Sequence, residues 1–193
     1  MGAASVEVMY SLPLLPGWAE VNLDPHTRDR SVADVIATGM SGSTGTERQQ
    51  ASEYVHSHAV SAQNGGCGFL GVLAQPCSGA PLLAAVTITV SDRSSADLLR
   101  SAERTSITLG PYRAETKTVT LKHVGTAIRT TGIQPITAHR QPVQPGVVTR
   151  TFVPFPGGTI IINATSPATA ASAPLLELFA LLTNGFRLVT LTP

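Results

Sequence analysis

Residues 149–167 read TRTFVPFPGGTIIINATSP, and this stretch decides the fold that the sequence predicts. Apolar and β-branched residues fill segments 147–154 and 159–165, on either side of Pro156, Gly157 and Gly158. Glycine supplies the positive φ that a tight turn needs, and proline fixes the entry into the turn. The stretch therefore predicts a β-hairpin, and its Pro-Phe-Pro-Gly-Gly run is the corner of that hairpin rather than a site.

Other segments show the same kind of pattern. In one of them Val86, Ile88 and Val90 alternate with Thr87 and Thr89, which is typical of a sheet with one buried face. Short connections between neighbouring strands favour antiparallel pairing. The further strands are predicted at residues 17–23, 69–74, 82–90, 117–123, 126–131 and 186–191.

Two helices are predicted before residue 65. Ser31 with Asp34 three residues later has the spacing of a capping box, and so predicts a short helix from Ser31. Thr46 with Gln49 predicts a second helix that runs to about residue 63. One face of this second helix carries apolar or small residues and a histidine, at Ala51, Tyr54, Val55, His58 and Ala62. The intervening GMSGSTG, residues 39–45, is interpreted as a linker.

Two more helices are predicted at residues 94–104 and 173–183. Because Glu177 is the single charge in the last one, we expect it to be buried nearly all round. Together the elements predict an α+β fold, in which helices cover an antiparallel sheet. The length of 193 residues fits a single domain over residues 1–193.

Composition limits the classes of partner. Only 13% of residues are charged and the formal net charge is +1. The arginines are scattered, which argues against a nucleic-acid-binding protein. A neutral surface favours an oligomer or a protein partner. The alternative, left open here, is a compositional bias of the coding sequence, since arginine greatly outnumbers lysine.

The predicted location is the cytoplasm. No apolar stretch is long enough to cross a membrane, and the first residues lack the pattern of a signal peptide. Cys67 and Cys77 flank a predicted strand that spans roughly 33 Å. Because a disulfide needs Cα atoms about 5.5 Å apart, both thiols are predicted to be reduced.

No reactive cluster is visible in the sequence. His56 and His58 diverge on a helix and cannot share a metal, so we expect His58 to be partly buried and hydrogen-bonded, and His56 to be solvated. Nothing supplies a nucleophile, a base and an orienting group together. We therefore expect no catalytic residues, no metal and no cofactor, and an enzyme is the minority interpretation.

Four residues are the candidates for an interaction surface. Residues 132–146 form the longest predicted irregular stretch, where Ile136, His139 and Arg140 could present a contact surface. Phe155 lies at the tip of the predicted hairpin, where it either caps the core or is an exposed anchor.

Three stretches together resemble a known group of proteins. PLLPGWAEVNLDPHTRDRSV, TRTFVPFPGGTIIINATSP and APLLELFALLTNGFRL are similar to segments of uncharacterised actinobacterial proteins with a Mog1/PsbP-like (LpqN-like) α/β sandwich. The resemblance implies that fold and a binding or accessory role: an adaptor, a chaperone-like or an immunity-type protein, with some members linked to type VII secretion. No catalytic residue comes with these motifs, and the chain lacks the lipobox of the LpqN-like lipoproteins.

Three hypotheses follow from the sequence. The first is a non-enzymatic cytoplasmic protein that binds another protein, with a homodimer as one form. The second is a small-molecule-binding protein or enzyme, with a pocket between sheet and helices where His123, His139 and Arg140 converge. The third is a structural subunit of a larger assembly. No nucleic acid and no membrane is expected as a partner.

Overall fold

The computed structural model describes residues 7–100 and 114–191, which form two antiparallel sheets. The main sheet has seven strands in the order β2-β3-β4-β8-β7-β6-β5, and β1 pairs with β9 in a separate ribbon. The strands are β1 (Glu7–Ser11), β2 (Trp18–Glu20), β3 (Phe69–Gln75), β4 (Leu82–Ser91), β5 (Ala114–Leu121), β6 (Gly125–Ile136), β7 (Gln144–Phe155), β8 (Gly158–Ser166) and β9 (Arg187–Leu191).

Three α-helices lie entirely within the described residues. They are α1 (Arg28–Gly39), α2 (Gly45–Asn64) and α3 (Ser172–Asn184), the last of which follows a short 3₁₀ turn at Thr169–Ala171. Residues 95–100 are also helical, in agreement with the start of the helix predicted at 94–104, and the rest of that prediction lies outside the described residues.

The hairpin predicted from residues 149–167 is confirmed. Strands β7 and β8 pair along their length, with Phe155 opposite Gly158. Pro156 and Gly157 form the turn between them, and Gly157 has a φ of +113°, which a residue with a side chain rarely adopts. Strands β7 and β8 lie in the middle of the sheet, so this local signal forms the centre of the fold.

Both faces of the central strands are covered. On β4, Leu83 and Ala85 pack with α1 and α2, whereas Ala84, Val86 and Ile88 pack with α3. We call the first side the α2 face and the second the α3 face. The expectation of a sheet with one buried face is therefore wrong for these strands, because a separate hydrophobic core lies on each side.

The two ends of the chain form the ribbon. Strand β1 is absent from the predicted strands. It pairs with β9, and in this pairing Tyr10 lies opposite Leu188. Both of these side chains pack on the α3-face core, and the ring of Tyr10 stacks on that of Phe186 at 6.3 Å. The last strand therefore lies outside the main sheet. The strand predicted first is β2, which is shorter than expected.

Residues 132–146 are mostly strand rather than loop. Strand β6 runs to Ile136 and β7 begins at Gln144, so only residues 137–143 are irregular. Pro135 lies opposite Pro145, where the hairpin extends beyond the described pairing of β5 and β8. Proline is tolerated there because its missing N–H is not needed by a second neighbouring strand.

Both helix starts differ from the prediction. Helix α1 begins at Arg28, and the Ser31 hydroxyl accepts a hydrogen bond from the backbone N–H of Asn22 instead of capping the helix. Helix α2 has its capping box at Thr44 and Glu47, two residues before the predicted one. The linker between the helices is correspondingly short.

Candidate functional site

The four candidate surface residues do not form one surface. Ile136 is only 7% exposed and contacts Gly146, so it offers little area to a partner. His139 and Arg140 lie in the β6–β7 loop. Phe155 ends β7, roughly 36 Å along the strand from the residue paired with Ile136, and it packs against the α3-face core. Phe155 therefore caps the core.

The β6–β7 loop is fixed to helix α2. The backbone N–H of His139 donates a hydrogen bond to Ser61 Oγ at 2.7 Å. Arg140 follows with a φ of +58°, a left-handed conformation that is costly for a residue with a side chain. The loop is thereby held over the end of the sheet, and it closes one side of a cleft.

This cleft has a volume of about 410 Å³. Its walls are α2, the β3–β4 turn, the β6–β7 loop and the chain after β8. The lining side chains are mostly apolar or uncharged, and Glu53 is the one carboxylate among the lining residues that the structure describes. The lining includes Gln50, Tyr54, His58, Pro81, Leu83, Ile136, Gln141 and Pro167.

Tyr54 and His58 form the α2 wall of the cleft. Their rings lie 4.1 Å apart, and the Tyr54 hydroxyl donates to the carbonyl oxygen of Thr165 at 3.4 Å. Nδ1 of His58 lies 2.9 Å from the carbonyl oxygen of Tyr54. Since a carbonyl only accepts, Nδ1 carries the hydrogen, and Nε2 of the neutral ring is an acceptor. The expectation of a partly buried, hydrogen-bonded His58 is confirmed.

We expect protonation of His58 to destabilise the fold. Burial lowers the pKa of His58, and its hydrogen bond to Tyr54 offsets this only in part. Below about pH 6.5 the unfolded chain therefore binds a proton that the folded chain does not, so the free energy of unfolding falls as the pH falls towards the folded-state pKa. Urea unfolding midpoints at a series of pH values measure this loss.

The matched variants for that experiment are His58→Phe and His26→Gln. His58→Phe removes the buried titrating group and should flatten the pH dependence of the unfolding midpoint. His26 lies in an exposed turn, so its replacement should leave the profile unchanged. A profile that is identical in the wild type and in His58→Phe would contradict the prediction.

A smaller cavity of about 220 Å³ adjoins the cleft and shares His58, Ile136 and Thr137 with it. Its floor is the α2 face of the sheet, where Arg150 and Asn163 are directly opposite each other on β7 and β8. The residues predicted from the sequence include neither of these two. For Arg150 the sequence contains a signal of burial. It shares one face of β7 with Val148 and Phe152, two residues away on either side, and both of those side chains are buried.

The pocket hypothesis built on His123, His139 and Arg140 fails. His123 is exposed at the β5–β6 turn, and His139 follows the far end of β6. The length of β6 separates them by roughly 36 Å. Within residues 7–100 and 114–191, no group of three or more metal-ligating side chains is placed to hold an ion. The side chain of His56 is 45% exposed, as expected, and its Nδ1 lies 3.6 Å from a carboxylate oxygen of Asp29.

The α3 face carries a second feature. Helix α3 is not buried all round as expected, because its side chains divide between a buried and an exposed side. Leu175, Phe179 and Leu182 are buried, whereas Leu181 is 60% exposed. Five of the six exposed large hydrophobic side chains in the described residues lie on this layer of the molecule: Met9, Val90, Ile133, Leu181 and Val189.

Among the residues with described positions, no helix combines the length and the apolar character that crossing a membrane requires. Cys67 and Cys77 lie at the two ends of β3, and both thiols are free, as predicted.

Neither a protein-family profile nor a curated protein sequence matches this chain. Among solved structures it is similar to the crystal structure of LpqN from Mycobacterium tuberculosis, described as involved in cell envelope biogenesis. The TM-score is 0.50 at 10% identity, over 96% of this chain and 86% of that one. The solution structure of cyanobacterial PsbP (CyanoP) from Synechocystis sp. PCC 6803 also matches, with a TM-score of 0.44 at 14% identity, over 97% and 95% of the two chains.

The likeness to LpqN shows the fold alone, because so few residues are identical. The chain has an antiparallel sheet with helices packed on it, in a Mog1/PsbP-like α/β sandwich. The fold implied by the resemblance of the three sequence stretches is thus confirmed.

Proposed function

We propose that this protein acts by binding another protein, without catalysing a reaction, and that the partner docks on the exposed apolar side chains of the α3 face. The observation that carries the proposal is the concentration of these side chains on one layer. Single exposed apolar residues are common on any protein, but their grouping on one side favours an interaction surface.

Leu181 is the proposed anchor of the surface. It is 60% exposed on helix α3, so water covers a large apolar side chain, and the one charge of the helix, Glu177, lies one turn before it. Covering this side chain with a partner would remove apolar area from water, which is favourable by about 25 cal/mol for each Å². The low overall charge of the chain adds little repulsion against an approaching protein.

The role that fits this surface is an adaptor, chaperone-like or immunity-type protein of the cytoplasm, with a link to type VII secretion. The free thiols of Cys67 and Cys77 support the cytoplasmic location, since reducing compartments keep cysteines unpaired. A homodimer is one form of the proposal, in which the partner is a second copy of this chain.

The test compares Leu181→Glu with Val143→Glu. Leu181 and Val143 are similarly exposed, at 60% and 63%, but Val143 lies in the β6–β7 loop, away from α3. A buried carboxylate is costly at an apolar interface, so Leu181→Glu should abolish association and Val143→Glu should leave it unchanged. Light scattering after size exclusion measures self-association, and photo-crosslinking in a lysate of the organism that carries the gene measures capture of a different protein.

The outcomes separate the alternatives. A dimer that Leu181→Glu dissociates makes the partner a second copy. A monomer that captures a defined protein, lost in Leu181→Glu and retained in Val143→Glu, makes it a different protein. A strict monomer whose captured proteins are the same in both variants overturns the proposal.

A further inference from the structure

The α2 face holds an arginine that no described carboxylate neutralises. The side chain of Arg150 points from β7 towards the cavity between the sheet and α2, and its Nε donates to Asn163 Oδ1 at 3.3 Å. This is the one hydrogen bond from its guanidinium to a described residue, although a guanidinium has five N–H donors. Burial lowers the pKa of Arg150, yet an arginine stays charged in proteins.

The cavity around Arg150 is polar but contains no described acid. Its lining includes the hydroxyl groups of Ser61, Thr87 and Thr165, the Asn163 amide and the His58 ring. No Asp or Glu occurs among the lining residues within the described part of the chain. A largely buried cation without a counter-charge is unfavourable, and an anion in the cavity would relieve that cost.

We propose that this cavity binds the carboxylate or phosphate group of a small organic anion, with Arg150 as its ionic partner. A guanidinium presents parallel N–H groups that match both kinds of anion in a two-pronged geometry. Asn163 holds the Arg150 side chain through its carbonyl oxygen. The hydroxyl groups of Thr87 and Thr165 provide further donors on the floor of the cavity.

The adjoining 410 Å³ cleft indicates what the rest of the ligand is like. The two cavities are neighbours that share His58, Ile136 and Thr137 in their walls, and the proposed ligand reaches from Arg150 past these side chains into the cleft. The cleft wall is largely apolar at Leu83 and Pro167. Glu53 at the exposed side of the cleft repels a second negative charge, so the ligand carries one anionic group and an uncharged body.

This site does not rest on the proposed partner surface, because the two lie on opposite faces of the sheet. The loss of one leaves the other intact. The inference also differs from the failed pocket hypothesis, since neither His123 nor Arg140 takes part in binding at Arg150.

The experiment titrates the folded full-length protein with two probes, inorganic phosphate and butyrate, while chloride keeps the ionic strength constant. The readouts are binding heat and the ¹H–¹⁵N signal of Arg150 Nε. The variants are Arg150→Met, which removes the charge at similar length, and Arg30→Met, which removes an exposed charge on α1. Circular dichroism checks that both variants fold.

We expect saturable binding of at least one probe, with a shift of the Arg150 signal. Binding should weaken about tenfold or more in Arg150→Met, because charge-assisted hydrogen bonds are lost, and should be unchanged in Arg30→Met. Binding of phosphate alone assigns a phosphate monoester, and binding of butyrate alone assigns a carboxylate. No saturable binding of either probe, or binding in the wild type that leaves the Arg150 signal unmoved, overturns the proposal even if Arg150→Met fails to fold.

Discussion

Phe179→Ala is expected to lower the free energy of unfolding by about 3–5 kcal/mol, the usual cost of truncating a fully buried phenylalanine. Phe179 has no exposed surface, and its ring meets that of Trp18 edge to face with centroids 6.5 Å apart. The lost side chain leaves a cavity between α3 and the sheet, which the packed isoleucines of β8 cannot fill. Urea unfolding followed by circular dichroism measures the change.

Leu181→Ala is the matched control for Phe179→Ala. Leu181 lies two residues further along the same helix and is 60% exposed, so its truncation should change the free energy of unfolding by no more than about 0.5 kcal/mol. Both substitutions leave a good helix former in α3. Equal losses in the two variants would contradict the division of α3 into a buried and an exposed side.

Gly39→Ala is expected to destabilise the protein by about 1–3 kcal/mol, as overpacking does. Gly39 is the last residue of α1, where the helix backbone approaches β3 so closely that an added Cβ would overlap the carbonyl oxygen of Ala74. The neighbour is a backbone carbonyl of β3, which is paired with β4 at this residue and cannot move aside by a rotamer change. Either α1 shifts away from the sheet or the strand distorts, and both loosen the α2-face core.

The opposite result is expected for Gly45→Ala. Gly45 is the first residue of α2, and no heavy atom lies within 4 Å of the position that its Cβ would take. Alanine restricts the unfolded chain and favours the helix, so the variant should be more stable by about 0.4–1 kcal/mol. Thermal and urea unfolding of the two variants side by side test the pair. A stabilising Gly39→Ala would show that α1 is not in contact with β3.

The strands with local signals could be predicted closely. Strands β3, β4, β7 and β8 start and end within three residues of the predicted bounds, since alternation and turn residues act over a few neighbours. The predicted start of helix α2 lies two residues later than the observed one for a similar local reason. The sequence contains two overlapping capping matches, Thr44 with Glu47 and Thr46 with Gln49, and only the first one forms.

Long-range pairing accounts for the errors. Strand β1 has no strong pattern of its own and becomes a strand because β9, from the other end of the chain, pairs with it. Pro135 and Pro145 suggest a loop, yet they lie in strands β6 and β7. At these two residues each strand pairs only with the other, so no second described strand needs the N–H groups that proline lacks. The single domain over residues 1–193 and the actinobacterial origin stay predictions.

The candidate site was harder to predict than the fold. The sequence indicates that His58 is a partly buried, hydrogen-bonded residue, because its position on the apolar face of α2 follows from helical spacing. It does not indicate that Arg150 and Asn163 face the same cavity, since they come from two strands and meet α2 only through packing. The length of β7 separates Phe155 from Ile136, His139 and Arg140, and a role of these residues in an interaction stays a prediction.

By itself, the sequence determined the central hairpin, the antiparallel strands around it, the free thiols and the helices on the sheet. These features depend on alternation, turn geometry and helical spacing, which neighbouring residues set. Only the tertiary structure decided that the sheet is covered on both faces, that Leu181 stays exposed, and that Arg150 lies in a cavity without a described acid. Those outcomes depend on which surfaces meet, and residues far apart in the chain compete for the same partners.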